Sequence, residues 1–257
     1  MPEVKPNVKL LRYTPAPEEL VAMAGKLCYS PACLDDLQEK IETHDQSKYL
    51  KKLTDMGHLS PIEHASFTFG IEGVSRSLLA QITRHRIASF SVQSQRYVAM
   101  GDEERGFDYV MPPAIRALGE DAAEEYRRQM EQINEWYQTW RERLGGGTSA
   151  NEDARFVLPN GAATRMLVTM NARELIHFLA LRCCNRAQWE IREVAWQMLE
   201  QAYAVAPQLM RLAGPGCLHG ACPEGKMSCG RAEEVRERMT RLQRLIKKST
   251  SENKEEK

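Results

Sequence analysis

Apolar residues alternate with a period of two in three short stretches of the chain. The clearest runs over residues 66–71, where Phe67, Phe69 and Ile71 would face one side of a sheet. Residues 8–13 at the start of the chain and residues 165–170 near its middle have a similar character. The pattern therefore predicts three strands that are far apart in the sequence.

Longer stretches carry apolar residues at intervals of three and four, the spacing of an amphipathic helix. A serine-rich loop is predicted between the helix over residues 75–84 and Tyr97. Asn171 is a candidate N-cap for the helix over residues 171–183. The predicted helices cover residues 17–28, 35–56, 75–84, 122–144, 171–183 and 187–212, and a last helix is outlined by Val235, Met239, Leu242 and Ile246.

These elements predict an α+β fold, rich in helix, in which a small and mostly antiparallel sheet packs with several helices. Strands and helices alternate without a regular strand-helix-strand repeat, and the sequence has no Gly-x-Gly-x-x-Gly fingerprint. We expect one domain over residues 1–230, followed at 231–257 by the C-terminal helix and a charged tail, disordered from residue 249.

Composition excludes several classes of protein. The 35 basic and 35 acidic residues cancel, so no global positive field would drive nonspecific binding to nucleic acid. We find neither a signal peptide nor an apolar stretch of membrane-spanning length, and we therefore expect a cytoplasmic protein without a membrane partner. The seven cysteines are an odd number, which favours reduced thiols over a disulfide framework.

The distribution of charge is more informative than its sum. No acidic residue lies between Glu72 and Asp102, and Glu174 is the only acid from Arg155 to Gln188. No lysine occurs between residues 52 and 226, so every fixed cation there is an arginine. The guanidinium group presents a planar set of donors that matches phosphates and carboxylates, and the bias indicates recognition of an anion.

Residues 81–97 combine three arginines, one histidine and three serines without a carboxylate. Phosphate groups require several converging donors of this kind, but a solvated basic loop or structural ion pairs would have the same composition. Composition alone therefore supports a phosphate site and a solvated or ion-paired basic segment equally.

The order of these residues resembles the signature of the flavin-dependent thymidylate synthases. That signature is an Arg-His-Arg triplet, a serine three positions on, and then Ser-x-Arg-Tyr, and it is matched by residues 84–86, Ser89 and residues 94–97. Residues 60–69 resemble the family's Pro-x-Glu-His segment, and residues 171–192 resemble its second large motif. The resemblance spans roughly residues 8–212.

The resemblance implies a reductive methylation of dUMP to dTMP for dTTP synthesis. Methylenetetrahydrofolate would supply the carbon, and NADPH would reduce a bound FAD that delivers hydride. FAD would lie outside a Rossmann crevice, in a homotetramer whose active sites form between subunits. The residues implied in FAD binding are His64, Ser66, Arg84, His85, Arg86, Asn171, Arg173 and His177.

The same resemblance implies a set of dUMP-binding residues, with Ser94 and Arg96 at the phosphate: Gln81, Arg84, Ser94, Gln95, Arg96, Arg155 and Arg182. Arg182 is the predicted catalytic residue, because a guanidinium beside the uracil would stabilise negative charge as a ring carbon becomes nucleophilic. Some family members carry an acidic residue shortly before the serine that corresponds to Ser94, whereas this chain has Val92 and Gln93 there.

The cysteines leave two questions open. Cys217, His219, Cys222 and Cys229 would suffice for a zinc site, but their spacing is not that of a zinc ribbon, and a turn without metal is as consistent with it. Our prediction includes no metal.

There are two alternative functions. One is a thymidylate synthase with a cysteine nucleophile, and the Arg-His-Arg motif argues against it. The other is a nonenzymatic nucleic-acid-binding module, and the neutral net charge argues against it.

Overall fold

The computed structural model describes residues 1–102 and 104–255, with four strands and eleven helices in that part of the chain. The strands are β1 (Asn7–Tyr13), β2 (Ser66–Ser75), β3 (Ala88–Val92) and β4 (Ala163–Asn171), and they form one antiparallel sheet in the order β1-β2-β4-β3. The predicted α+β class is confirmed. The three predicted strands are β1, β2 and β4, whereas β3 lies inside the predicted serine-rich loop.

Helices occupy most of the remaining chain. The eleven are α1 (Pro17–Leu27), α2 (Leu34–Glu42), α3 (Ser47–Asp55), α4 (Arg76–Ile82), α5 (Pro113–Arg116), α6 (Glu120–Arg143), α7 (Gly147–Ala154), α8 (Ala172–Arg182), α9 (Trp189–Val205), α10 (Pro207–Met210) and α11 (Ala232–Glu255). Short 3-10 turns include Pro61–His64, one residue before β2, and Arg155–Val157, directly after α7.

The side chains of β2 alternate between the core and the opposite face of the sheet. Phe67 and Phe69 are fully buried and Ile71 nearly so, as the period of two predicted. On the other face, the hydroxyls of Thr68 and Thr169 lie 2.9 Å apart across the β2–β4 pair. This face of the sheet therefore presents short polar side chains.

Two predicted helices are each divided in the structure. Residues 35–56 form α2 and α3, separated by a corner in which the Gln46 amide donates to the carbonyl oxygens of Ile41 at 2.9 Å and His44 at 2.6 Å. Residues 187–212 form α9 and α10, because Pro207 lacks an N-H group and holds the preceding Ala206 at φ −145°, outside the helical region.

The chain forms two compact units. Unit 1 comprises Met1–Val8, Gly70–Arg86 and Phe90–Val168, and unit 2 comprises Lys9–Phe69, Ile87–Ser89 and Thr169–Lys257. The core of unit 1 includes Phe107, Tyr109 and Tyr137, and that of unit 2 includes Phe178 and Leu199. Each unit thus has a core of its own.

The C-terminal helix is longer than predicted. Val235, Met239 and Leu242 are buried as the spacing predicted, but α11 continues to Glu255, through residues expected to be disordered. Residues 256 and 257, the end of the predicted tail, lie outside the described residues. The domain boundary at residue 230 stays a prediction. Within the described chain, we find no helix whose length and apolar character would let it cross a membrane.

Candidate active site

In unit 2, the start of β2 meets the start of α8. The Ala172 N-H group donates to the Ala65 carbonyl oxygen at 2.7 Å. Asn171 caps α8 as predicted, because its Oδ1 accepts the Glu174 N-H at 2.9 Å. The Ser66 N-H donates to Thr14 Oγ1 at 2.9 Å, which fixes the first residue of the strand.

Five of the eight predicted flavin-binding residues lie around this junction. An ion pair of 2.5 Å joins Arg173 to Glu63, the neighbour of His64. His177 follows Arg173 by one helical turn, on the same face of α8, and both histidine side chains are exposed. We call this group the β2–α8 corner: His64, Ser66, Asn171, Arg173 and His177.

The Arg-His-Arg triplet lies in unit 1, directly after α4. His85 is buried, and its N-H donates to the Ile82 carbonyl oxygen at 3.1 Å. Arg84 and Arg86 are exposed, and neither forms an ion pair within residues 1–102 and 104–255. Both guanidinium groups are therefore available to an anion. Gln81 is half-buried at the last turn of α4.

The Ser-Gln-Arg segment forms a tight turn in unit 1. The Ser94 hydroxyl oxygen accepts the N-H groups of Arg96 at 3.2 Å and Tyr97 at 3.4 Å. Its own hydrogen remains available for donation. Gln95 is buried, and its Nε2 has no hydrogen-bond partner in the described structure. A buried donor without a partner is costly, and such groups are common at binding sites.

Arg96 and Arg155 both contact Glu152, near the end of α7. Arg96 Nη1 lies 3.6 Å from the Glu152 carboxylate, and its guanidinium covers the Tyr97 ring at 4.5 Å from the centroid. Arg155 Nε donates to the Glu152 carbonyl oxygen at 3.1 Å. We call this group the Glu152 cluster: Ser94, Gln95, Arg96, Glu152 and Arg155.

A further arginine lies near this cluster. Arg76, at the start of α4, is half-buried, and desolvation together with the positive charge of Arg155 lowers its pKa. No described carboxylate pairs with Arg76. The sequence placed it in the acid-free stretch after Glu72 but assigned it no role. Two neighbouring guanidiniums that repel each other favour binding of an anion.

Arg182 is the last residue of α8, in unit 2, where it is half-buried. The next residue, Cys183, is buried, and Cys184 is half-buried. The catalytic role of Arg182 stays a prediction.

A cavity of about 470 Å³ opens in unit 1 beside the Ser-Gln-Arg segment, and Gln93, Thr164 and Arg165 are part of its lining. The buried Thr164 hydroxyl has no described hydrogen-bond partner. None of the predicted site residues lines this cavity. In this single chain, most of the predicted residues are exposed or half-buried instead, and His85 and Gln95 are buried.

The cysteine-rich segment gives little support to the alternatives. Within the described residues, no three histidine, cysteine or acidic side chains form a group that could hold a metal ion. Burial raises the pKa of Cys217, and the thiols of Cys222 and Cys184 raise it further. A raised pKa lowers the thiolate fraction, which disfavours Cys217 as a nucleophile.

The fold is that of a solved pyrimidine-nucleotide methylase. The crystal structure of the UMP/dUMP methylase PolB from Streptomyces cacaoi, bound with 5-Br dUMP, superimposes with a TM-score of 0.68. The comparison covers 82% of this chain and 96% of that chain. At 24% sequence identity it establishes the fold alone.

The sequence comparisons are more specific. The family described as thymidylate synthase complementing protein matches residues 9–208. A flavin-dependent thymidylate synthase of Geobacter sulfurreducens is 52% identical over 90% of this chain and 96% of its own. One from Clostridium tetani is 46% identical over 90% of this chain and 95% of its own. The chain therefore belongs to the thymidylate synthase complementing protein family, the flavin-dependent thymidylate synthases.

Proposed function

We propose that this chain converts dUMP to dTMP with the Glu152 cluster as the nucleotide phosphate site and the β2–α8 corner as part of the flavin site. The reaction is the reductive methylation of its family, with methylenetetrahydrofolate as carbon donor and NADPH as reductant of FAD. The assignment of residues to these two sites is the proposal.

The Glu152 cluster is the observation that carries the nucleotide assignment. Its two arginines come from segments 59 residues apart and converge on one glutamate. Gln95 adds an amide donor that nothing in the described chain satisfies. A phosphate monoester is a dianion that accepts several charge-assisted hydrogen bonds, and this donor set suits it. Binding would replace the weak contact between Arg96 and Glu152 by a stronger one.

The β2–α8 corner offers the donors that a dinucleotide cofactor requires. Arg173 supplies a cation, Asn171 and Ser66 supply small polar groups, and the exposed His64 and His177 supply imidazoles. The unpaired guanidiniums of Arg84 and Arg86 suit a pyrophosphate. Bound FAD would supply the hydride chemistry, and these residues would hold and orient it.

Arg182 is proposed to activate the pyrimidine. A guanidinium beside the uracil ring would stabilise the negative charge that develops as the ring carbon becomes nucleophilic. The charge stays on Arg182 throughout, because arginine does not lose its proton in proteins.

A second copy of the chain would complete the active site. His64, Arg84, Arg86 and His177 are exposed, and the cavity beside Gln93 contains none of the predicted residues. Hydride transfer requires a site from which water is excluded. We therefore propose a homotetramer in which each active site takes residues from more than one subunit.

The test is conversion of dUMP to dTMP by the purified, flavin-loaded protein with methylenetetrahydrofolate and NADPH. The flavin absorbance should bleach when NADPH is added without oxygen, and dTMP should form only when dUMP is present. Arg182→Ala should retain FAD and lose most turnover, and the loss of turnover should exceed any loss of dUMP affinity. Unchanged turnover in that variant would exclude the proposed role of Arg182.

A further inference from the structure

Arg96 is connected to helix α6 by two consecutive hydrogen bonds within unit 1. Arg141 Nε donates to Asn151 Oδ1 at 2.7 Å, and Asn151 Nδ2 donates to the Arg96 carbonyl oxygen at 3.2 Å. The connection therefore passes from a cation on α6, through an amide on α7, to the backbone of the arginine proposed to bind phosphate.

The contact with Arg141 fixes the orientation of the Asn151 amide. Asn151 is 4% exposed, so water contributes little to its hydrogen bonding. A guanidinium only donates, and the amide oxygen must therefore face Arg141 while the amide nitrogen faces Arg96. Arg141 is itself held by Gln138, whose Oε1 accepts from Nη1 at 2.8 Å.

Asn151 and Glu152 contact different parts of Arg96. Asn151 binds its carbonyl oxygen, while Glu152 forms the 3.6 Å ion pair with its guanidinium. The Ser94 hydroxyl binds the Arg96 N-H from the other side. The backbone of Arg96 is thus fixed at both its peptide groups. Its guanidinium donates to the Tyr97 hydroxyl and keeps a 3.6 Å ion pair with Glu152 that a ligand can replace.

We propose that Arg141 and Asn151 are positioning residues for nucleotide binding. They hold the Arg96 backbone so that its guanidinium meets the phosphate group of dUMP. The inference rests on the proposed function, because it takes Arg96 as a phosphate ligand. Neither Arg141 nor Asn151 touches the substrate.

Asn151→Ala removes the contact with Arg96, and its effect should appear in nucleotide affinity. We expect the KM for dUMP to rise about tenfold, the factor that corresponds to the loss of one well-placed hydrogen bond. We expect kcat to change less than about twofold, because the reacting ring is remote from the phosphate. FAD content and the KM for NADPH should stay at wild-type values.

Deoxyuridine separates positioning from a general structural defect. It lacks the phosphate, so its weaker affinity, measured by competition with dUMP, should be the same in Asn151→Ala as in the wild type. The ratio of dUMP to deoxyuridine affinity should therefore fall about tenfold. A loosened fold would lower both affinities together and leave this ratio unchanged.

Arg141→Gln tests the same connection at a position that is less buried. We expect a rise of about threefold in the KM for dUMP, and no further rise when this change is added to Asn151→Ala. Arg143→Gln, on the same helix, is the matched control, since Arg143 contacts only the Trp140 ring in the described structure and should leave the KM unchanged. If Asn151→Ala does not fold, Arg141→Gln and its control decide the question.

Arg96→Ala separates the failure of this inference from the failure of the proposed function. If Arg96→Ala raises the KM for dUMP about a hundredfold while Asn151→Ala and Arg141→Gln leave it unchanged, the positioning role alone is overturned. If Arg96→Ala also leaves the KM unchanged, the nucleotide assignment is overturned, and the positioning role with it.

Discussion

The β2–α8 corner and the Glu152 cluster each contain an arginine paired with a glutamate, but they hold it in different ways. At the corner, backbone hydrogen bonds and the Asn171 cap fix the elements that carry Arg173 and Glu63. In the cluster, Arg96 lies on a turn, and only side chains hold it from α6 and α7.

The difference matches the ligands proposed for the two sites. A resident cofactor stays bound through many turnovers, and a frame of backbone hydrogen bonds provides a site that need not rearrange. A substrate must enter and leave in every cycle, so an arginine on a weak ion pair is suited to it. The Glu63–Arg173 contact is 2.5 Å long, whereas the Glu152–Arg96 contact is 3.6 Å long.

Among the substitutions that test this difference between the two sites, Arg173→Ala should have the largest effect. Removal of a charge-assisted contact to the flavin should weaken FAD binding at least tenfold, because such contacts contribute about 1.5–3 kcal/mol. The purified variant should lose most of its flavin absorbance and activity, and excess FAD should restore much of the activity. The measurements are the flavin-to-protein ratio after gel filtration and a titration with FAD.

Arg211→Ala is a matched control, since this arginine pairs with Asp55 in the same unit, apart from the predicted site. If Arg173→Ala keeps its flavin and instead raises the KM for dUMP, the β2–α8 corner binds the nucleotide, and the assignment of the two sites to different ligands is wrong.

Neutralising the two glutamates should have smaller effects of opposite sign. Glu152→Gln frees Arg96 from a competing carboxylate, and we expect the KM for dUMP to fall about threefold. Glu63→Gln removes the partner that orients Arg173, and FAD affinity should fall about threefold. Both estimates follow from the value of about 0–1 kcal/mol for exposed ion pairs. Steady-state kinetics at two salt concentrations provide the check.

Both shifts should shrink at high salt, because these contacts are exposed. A rise in the KM for dUMP in Glu152→Gln would show that Glu152 orients Arg96 and does not compete with the phosphate.

Periodicity predicted the elements that carry most of the site. The alternation around Phe67 predicted β2, and the polar residue before an apolar run predicted α8 and its Asn171 cap, because these signals are local. Strand β3 was missed although Ala88, Phe90 and Val92 alternate with two serines, because the alternation covers only five residues and the serines favoured a loop. Its pairing with β4 exists only in the folded sheet. The break between α2 and α3 was missed because it contains neither glycine nor proline.

The predicted site residues came from the family resemblance, whereas the residues that support Arg96 were not predicted at all. Arg141 lies within the predicted helix over residues 122–144, whereas Asn151 and Glu152 lie on α7, a helix that was not predicted. Their roles depend on pairing with Arg96, which is 45 to 56 residues distant in sequence. Such contacts exist only after folding, so no spacing rule indicates them.

The helix caps next to the two sites should separate stability from binding. Asn171→Ala and Ser75→Ala each remove an oxygen that accepts an N-H group of the first helical turn, at 2.9 and 3.1 Å. Each should cost about 1 kcal/mol and lower the Tm by about 2–4 °C. Only Asn171→Ala should also weaken FAD binding. Equal loss of flavin in both variants would mean that the cap acts through the fold alone.

The smallest expected effect concerns the thiols that follow α8, and it tests whether this helix is a fixed frame. Burial raises the pKa of Cys183 well above its ordinary value, so its thiol stays neutral at pH 8 and unreactive. Cys184 is half-buried. Alkylation of the native enzyme should therefore place one label on the tryptic peptide 183–186, and alkylation after denaturation should place two. Mass spectrometry distinguishes the outcomes, and two labels on the native enzyme at unchanged activity would show that the end of α8 opens during turnover.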